Sequence, residues 1–116
     1  MEKEYIYQGS HAMADILLSE SIPEDFHNIV VESIKKSNLN VVSEHVKKFE
    51  PQGVTAVFIL SESHFTYHTY PESNYVTVCC YTCGEEGEPM AALKYLVSQL
   101  NVKKKKLRYI ERGIFD

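Results

Sequence analysis

The segment from Leu60 to Glu72, LSESHFTYHTYPE, concentrates side chains that can do chemistry. Ser63 lies between Glu62 and His64, and a second histidine, His68, follows four residues later. A serine hydroxyl can act as a nucleophile, a carboxylate can accept hydrogen bonds, and an imidazole exchanges protons near neutral pH. The pattern leaves three alternatives open: a metal site, a hydrolase-like nucleophile, or histidines that pack within a strand.

The histidines and cysteines lack the arrangement expected of a zinc site. If the segment is a strand, His64 and His68 share a face but lie about 13 Å apart, at about 3.3 Å per residue. Cys79 and Cys80 are adjacent, and Cys80 and Cys83 are three residues apart, so the last two point to opposite faces of a strand. We therefore expect no bound metal.

A serine hydrolase is also disfavoured. Ser63 is not part of a Gly-x-Ser-x-Gly segment, and a strand is the wrong context for the sharp turn that exposes such a nucleophile. From composition alone, partly buried strand histidines and a serine at a strand end are the simplest interpretation.

The surrounding apolar pattern predicts six strands and two helices. The predicted strands cover 5–18, 40–50, 54–62, 64–70, 75–83 and 104–113, and the predicted helices cover 21–38 and 88–101. Ser21 is expected to cap the first helix, with Pro23 in its first turn, and a break in the first strand is expected near Gly9. This order predicts an α+β two-layer sandwich, with a mostly antiparallel sheet and the helices on one face. The other face then needs cover, for which a partner subunit is one source.

Length and composition predict one domain over residues 1–116. Apolar residues make up 44% and charged residues 24% of the chain, as in ordinary globular proteins. A net charge of −4 argues against nucleic acid as a partner, and the basic run 103–106 is expected to protect an edge strand or turn. The chain has no apolar run of membrane-spanning length, and its three cysteines fit a reduced, cytoplasmic setting.

Four short motifs together resemble one family. They are GVT at 53–55, SESH at 61–64, TYHTYPE at 66–72 and YTCG at 81–84. In order and spacing they are similar to the motifs of the short prokaryotic S-adenosylmethionine decarboxylase proenzymes. The lengths of the flanking helices and the ERGIFD ending agree as well, so the resemblance covers nearly the whole chain.

The resemblance implies that the chain makes its own cofactor, a pyruvoyl group, from Ser63. The chain would cleave itself between Glu62 and Ser63, giving a β chain of residues 1–62 and an α chain of residues 63–116. His68 matches the family's processing base. Thr55 stands where the family usually carries a processing serine, and because threonine keeps the hydroxyl but adds a methyl group, maturation is expected to be retained and slower.

The remaining site residues are also implied by the resemblance. Cys83 corresponds to the acid that returns a proton to the substrate after carbon dioxide leaves the Schiff base with the pyruvoyl group. Glu72 matches the glutamate that binds the ribose hydroxyls, and Phe49 stands at the place of an aromatic that stacks on adenine. Tyr70 replaces the family's usual tryptophan.

The function implied is decarboxylation of S-adenosylmethionine to the aminopropyl donor for spermidine synthesis. A 116-residue chain is expected to act as a homodimer of cleaved protomers, with Ser63 and Cys83 from one protomer and the other site residues from its partner. Two alternatives stay open: a pyruvoyl-dependent decarboxylase of arginine or ornithine with the same fold, and a regulatory paralogue that does not process itself. Phe49 and Glu72 favour the nucleoside substrate, because a free amino acid has neither adenine nor ribose.

Overall fold

The computed structural model describes the backbone of residues 4–83 and 88–115 and the side chains of residues 9–83 and 88–113. These residues form six strands, two α-helices and one short 3-10 helix. The strands are β1 (Glu4–Leu18), β2 (Val41–Lys48), β3 (Val54–Leu60), β4 (His64–Tyr70), β5 (Tyr75–Cys83) and β6 (Val102–Phe115). The helices are α1 (Phe26–Lys36) and α2 (Pro89–Ser98), and the 3-10 turn covers Pro71–Ser73.

All six strands form one antiparallel sheet in the order β2-β3-β4-β5-β1-β6. Strands β2 to β5 follow one another through short connections, whereas β1 inserts between β5 and β6. The register of β1 against β6 shifts between Tyr5 and Gly9, where the break in the first strand is predicted. The predicted α+β sandwich is therefore confirmed.

Both helices cover the same face of the sheet, and the strands alternate accordingly. In β1, Ala12, Ala14 and Ile16 are buried towards the helices, while the residues between them are only partly buried. From the helices, Val30 and Leu93 are among the side chains that complete this core. Period-2 burial along the strands and period-3.6 burial along the helices follow from the geometry of the two elements.

Helix α1 begins later than the sequence predicts. Asp25 is the N-cap and Phe26 the first helical residue, and no side chain caps the helix. Ser21 and Pro23 lie in the connection before it, where the backbone N–H of Phe26 donates to the carbonyl of Pro23 at 3.1 Å. This hydrogen-bonded turn takes the place of the predicted first turn of the helix, so regular helix begins only at Phe26.

The two edge strands differ in character. Strand β6 carries Lys103–Lys106, all four exposed, so the prediction of a lysine-protected edge is confirmed. Strand β2 at the other edge is exposed along nearly all of its length, with Val42 66% exposed.

Neither described helix has the length and apolar character that crossing a membrane requires.

The side of the sheet away from the helices is called the open face here. Directly paired residues point to the same side of a sheet, so rows of side chains cross this face from strand to strand. One row comprises Thr55, His68, Thr77, Asp15 and Lys106, and another comprises Ile59, His64, Tyr81, His11 and Ile110. Within the described residues no helix covers these rows, and their two isoleucines are 44% and 51% exposed.

Candidate active site

Thr55 and His68 form a hydrogen-bonded pair on the open face. They are direct partners in the ladder between β3 and β4. The Thr55 Oγ1 lies 2.7 Å from the His68 Nδ1, and the His68 ring is exposed. A threonine hydroxyl held on an accessible imidazole can exchange a proton with it, which is an arrangement suited to general acid–base chemistry.

A cavity of about 290 Å³ opens beside this pair. Its lining combines the turn before β3 with the end of β4, and four of the residues that sequence reasoning singled out for function contribute to it. They are Phe49, Thr55, His68 and Glu72. We call it the front cavity.

The turn between β2 and β3 places Phe49 at the front cavity. The Phe49 N–H donates to the carbonyl of Gly53 at 2.9 Å, and Gly53 has a φ of 102°, a conformation that other residues rarely adopt. The Phe49 side chain is 48% exposed and so is not part of the core. It therefore offers a flat apolar surface to a molecule in the cavity.

Gln52, in the same turn, was not identified from the sequence. Its side-chain amide donates to the Glu72 Oε2 at 3.0 Å, across the front cavity from one turn to another. The contact orients the Glu72 carboxylate. Only its place in a Pro-Gln-Gly turn marks Gln52 in the sequence, and that signal says nothing about a partner twenty residues away.

Glu62, Ser63 and Cys83 lie together at the opposite end of the same strands. The backbone N–H of Leu60 donates to the carbonyl of Ser63 at 2.9 Å, which closes the tight connection from β3 to β4. The Cys83 thiol donates to the Glu62 Oε2 at 3.2 Å. Cys83, at the end of β5, is buried, while Ser63 is partly exposed. Gly84, the last residue of the YTCG motif, lies outside the described residues.

The predicted site residues thus form two groups in one chain. Ser63 precedes β4 and His68 lies five residues further along it, which corresponds to about 16 Å at about 3.3 Å per residue. Both groups are at the open face or its ends. The chain brings Thr55 to His68 and Cys83 to Glu62, and it does not bring Ser63 to His68.

A cluster of rings lies on the open face next to Ser63. The rings of His64 and Tyr81 stack with centroids 5.7 Å apart, and the edge of His11 approaches both. The Arg112 guanidinium lies 5.7 Å from the centroid of the Tyr81 ring, within reach of a cation–π interaction. Sequence reasoning missed this cluster, because His11 meets Tyr81 only through the pairing of β1 with β5.

The two histidines of this cluster have lowered pKa values. Burial lowers the pKa of His11 below its usual 6.5, and the charges of His64 and Arg112 lower it further. Burial also lowers the pKa of His64. Both imidazoles are therefore neutral at pH 7. The His11 Nε2 is buried and has no hydrogen-bond partner among the described residues.

These pKa shifts predict that acid destabilises the fold. A histidine whose pKa is lower in the folded state binds more protons when unfolded, so its contribution to the free energy of unfolding is lost as the pH falls below about 6.5. We expect this free energy to decrease between pH 6.5 and 5, and His11→Gln to reduce the decrease. Denaturant unfolding at fixed protein concentration measures it, in a Ser63→Ala background that keeps the chain in one piece. His45→Gln, at an exposed position of β2, is the control. An unchanged slope in His11→Gln would refute the assignment.

The Tyr81 ring lies so close to Gly9 that it leaves no room for a side chain at this position. A Cβ atom at Gly9 would lie 2.2 Å from the Tyr81 Oη and 2.6 Å from its Cζ, far inside van der Waals contact. We expect Gly9→Ala to destabilise the protein by about 1–3 kcal/mol, the usual cost of forcing extra atoms into a packed site. In a Tyr81→Ala background the same change should cost little. A double-mutant cycle of unfolding free energies checks this, and equal costs in both backgrounds would contradict it.

Metal ligation finds no support in these groups. Among the side chains of residues 9–83 and 88–113, no three of His, Cys, Asp or Glu come together in a way that could hold a metal ion.

Comparison with known proteins identifies the family. A family model described as S-adenosylmethionine decarboxylase matches residues 6–113. S-adenosylmethionine decarboxylase proenzyme 2 of Bacillus anthracis is 36% identical over 115 residues, which are 96% of this chain and 94% of that protein. The S-adenosylmethionine decarboxylase proenzyme of Aquifex aeolicus is 37% identical over 112 residues, 93% of this chain and 83% of that protein.

The fold points to the same class of protein. The crystal structure of the adenosylmethionine decarboxylase from Aquifex aeolicus superposes with a TM-score of 0.82 at 33% identity, covering 95% of this chain and 94% of that one. The protein therefore has the fold of this class of decarboxylases, in which one antiparallel sheet packs against two helices. This chain belongs to the S-adenosylmethionine decarboxylase family, whose members are carboxy-lyases. The resemblance seen in the four sequence motifs is confirmed.

Proposed function

We propose that the protein decarboxylates S-adenosylmethionine with a pyruvoyl group that it makes from Ser63, and that the product serves as the aminopropyl donor for spermidine synthesis. The observation that carries the proposal is the front cavity. Phe49, Thr55, His68 and Glu72 were assigned to substrate binding and processing by resemblance alone, and all four line one cavity on the open face.

The front cavity suits a nucleoside. The exposed ring of Phe49 can stack on an adenine, and the Glu72 carboxylate can accept hydrogen bonds from both hydroxyls of a ribose. Gln52 holds one of its oxygens, which fixes the direction of the carboxylate. At about 290 Å³ the cavity is at the lower end of the usual range for ligand pockets, so a second surface is expected to close over the substrate.

The turn at Ser63 suits self-cleavage. The Ser63 Oγ attacks the Glu62 carbonyl, which turns the peptide bond into an ester and leaves Ser63 with a free amino group. Loss of the Ser63 α-proton to a base expels the Glu62 carboxylate and leaves a dehydroalanine. One water molecule then converts the dehydroalanine to pyruvoyl and ammonia. The imidazole of His68 is the proposed base, and the hydroxyl of Thr55 supports the first step.

The separation of the two groups supports a homodimer. His68 and Ser63 lie about 16 Å apart along β4, too far for proton transfer within one chain. A two-fold dimer that pairs the open faces would bring the Ser63 group of one protomer to the front cavity of its partner, twice by symmetry. It would also cover the exposed Ile59 and Ile110.

The protein's own residues then divide the work of the reaction. The pyruvoyl group, when formed, supplies an electron sink for the carboxylate bond that breaks. Phe49 and Glu72 bind the nucleoside. Cys83 delivers a proton to the substrate α-carbon, for which its thiol must be protonated. The thiol also needs its proton to donate the hydrogen bond to Glu62.

Two measurements test the proposal. Mass spectrometry of the purified protein should find residues 1–62 and residues 63–116 as separate chains, the second with a pyruvoyl group at its N-terminus. Carbon dioxide release should follow with S-adenosylmethionine and not with arginine or ornithine. A chain that stays intact through long incubation at neutral pH would overturn self-cleavage, and release from arginine or ornithine would overturn the substrate.

A further inference from the structure

A second cavity, of about 820 Å³, lies on the helix-covered side of the sheet. It is bounded by the connection into α1, by β2 and by the ends of β3 and β4, and we call it the rear cleft. Its apolar wall includes Ile22, Pro23, Phe26 and Val46. Its volume is in the range typical of ligand-binding pockets. Of the residues given a role in the reaction above, only Gln52, which orients Glu72, also lines it.

A directed chain of hydrogen bonds ends in the rear cleft. The Tyr67 hydroxyl lies 2.8 Å from the His27 Nδ1, and the His27 Nε2 lies 3.3 Å from the Glu44 Oε1. Burial and the charge of Glu44 raise the pKa of Tyr67 to about 12. A carboxylate can only accept a hydrogen bond, so the Glu44 contact selects the His27 tautomer that carries its proton on Nε2. In this tautomer His27 donates from its Nε2 to Glu44, and its Nδ1 accepts from the Tyr67 hydroxyl.

This chain of bonds is fixed by packing. The His27 ring stacks on the buried ring of Phe58, with centroids 5.1 Å apart and planes 28° from parallel. Phe26 meets Tyr67 edge to face at 5.0 Å. The His27 ring is therefore held in one orientation and presents its Nε2 to the Glu44 carboxylate at the wall of the cleft, which gives that carboxylate a defined partner.

Among the described side chains, no lysine or arginine pairs with Glu44. Glu24 and Glu44 line the cleft with Lys48, which leaves one negative charge in excess. Lys48 is four residues from Glu44 on β2, about 13 Å along the strand, which exceeds the distance of about 8 Å at which physiological salt screens charges. No ion pair of Glu44 other than that with His27 occurs among the described side chains.

We propose that the rear cleft binds a small organic ammonium ion that carries an apolar ring, with the ammonium group on Glu44 and the ring against Phe26 and Val46. The complementarity is that of a carboxylate, partnered by His27, beside an apolar wall in a cavity large enough for such a molecule. This site is separate from the proposed reaction and does not depend on it.

The rear cleft also touches the front cavity. Gln52 lines both, and its amide is bonded to Glu72. The nuclear magnetic resonance signal of the Gln52 side chain therefore responds to a ligand in either cavity. Signals of residues that line only the rear cleft, such as Ile22 and His27, show which cavity the ligand occupies.

Titration by nuclear magnetic resonance tests the proposal, in the intact Ser63→Ala chain. The probes are 2-phenylethylamine and 3-phenylpropionate, which share a phenyl ring and differ in the sign of their charge. We expect the amine to bind with a dissociation constant of about 1 mM, as befits a molecule of this size, and to shift the amides of Ile22 and His27. The anion should shift them at least about tenfold less at equal concentration.

Two variants and one control distinguish the contribution of the Glu44 charge to binding from that of the space in the cleft. Glu44→Gln should weaken binding of the amine about tenfold, since a charge-assisted hydrogen bond is lost. Val46→Trp should abolish binding by filling the cleft. Glu32→Gln, an exposed carboxylate on α1 that pairs with Lys36 and lies outside the cleft, should change nothing. Equal binding of the anion, an unchanged affinity in Glu44→Gln, no binding of the amine, or shifts confined to the front cavity would each overturn the proposal.

Discussion

Cys83→Ala protein is expected to cleave itself and then to release carbon dioxide from S-adenosylmethionine about 10²–10⁴-fold more slowly than the unaltered protein. The reason is that a positioned proton donor contributes a factor of this size, and the Cys83 thiol is a donor that contacts Glu62, the residue before Ser63. Ser63→Ala, in contrast, should remain one chain and have no activity, because it lacks the hydroxyl that starts processing. Mass spectrometry measures the first property and carbon dioxide release the second.

Cys79→Ala is the matched control for this experiment. Cys79 lies on the same face of β5, four residues before Cys83, and is partly buried, so the same atom is lost from the same strand. It should cleave and turn over normally. Near-normal decarboxylation by Cys83→Ala would remove the thiol from the mechanism, while failure of Cys83→Ala to cleave would assign it to processing instead.

Mixing two inactive proteins should restore activity if the site is shared between protomers. The pair is Cys83→Ala and Glu72→Ala, whose lesions lie in the two separate groups of each chain. In a mixed two-fold dimer one site collects both lesions and the other has none. Random exchange makes half of the dimers mixed, so about one quarter of the activity of the unaltered protein should return.

The control mixture combines Cys83→Ala with Ser63→Ala. Both lesions lie in the same group, so every site of every dimer contains one of them and no activity should return. Subunit exchange is verified by mass spectrometry of the intact dimers with one protein isotopically labelled. If exchange is complete and the first mixture stays inactive, each protomer carries its own whole site and the shared-site proposal is wrong.

The sequence by itself determined the elements and the family. Alternating burial in β3 to β5 and the spaced apolar residues of α2 are local patterns, and each is visible in a window of a few residues. The four motifs that identify the family are likewise short and lie at fixed spacing. The start of α1 differs from the prediction because Ser21 and Pro23 resemble a helix cap locally, whereas the structure forms a separate hydrogen-bonded turn there before the helix begins at Phe26.

Only the tertiary structure decided how those elements are brought together. Strand β1 lies between β5 and β6, so the ring of Tyr81 meets His11 and Arg112, which lie near opposite ends of the chain. The contact of Gln52 with Glu72 and the chain from Tyr67 through His27 to Glu44 likewise join separate elements. A residue pattern gives the face of a strand that a side chain occupies, but not which strand lies beside it. Strand order and register decide that, and they are set by packing of the whole sheet against the two helices.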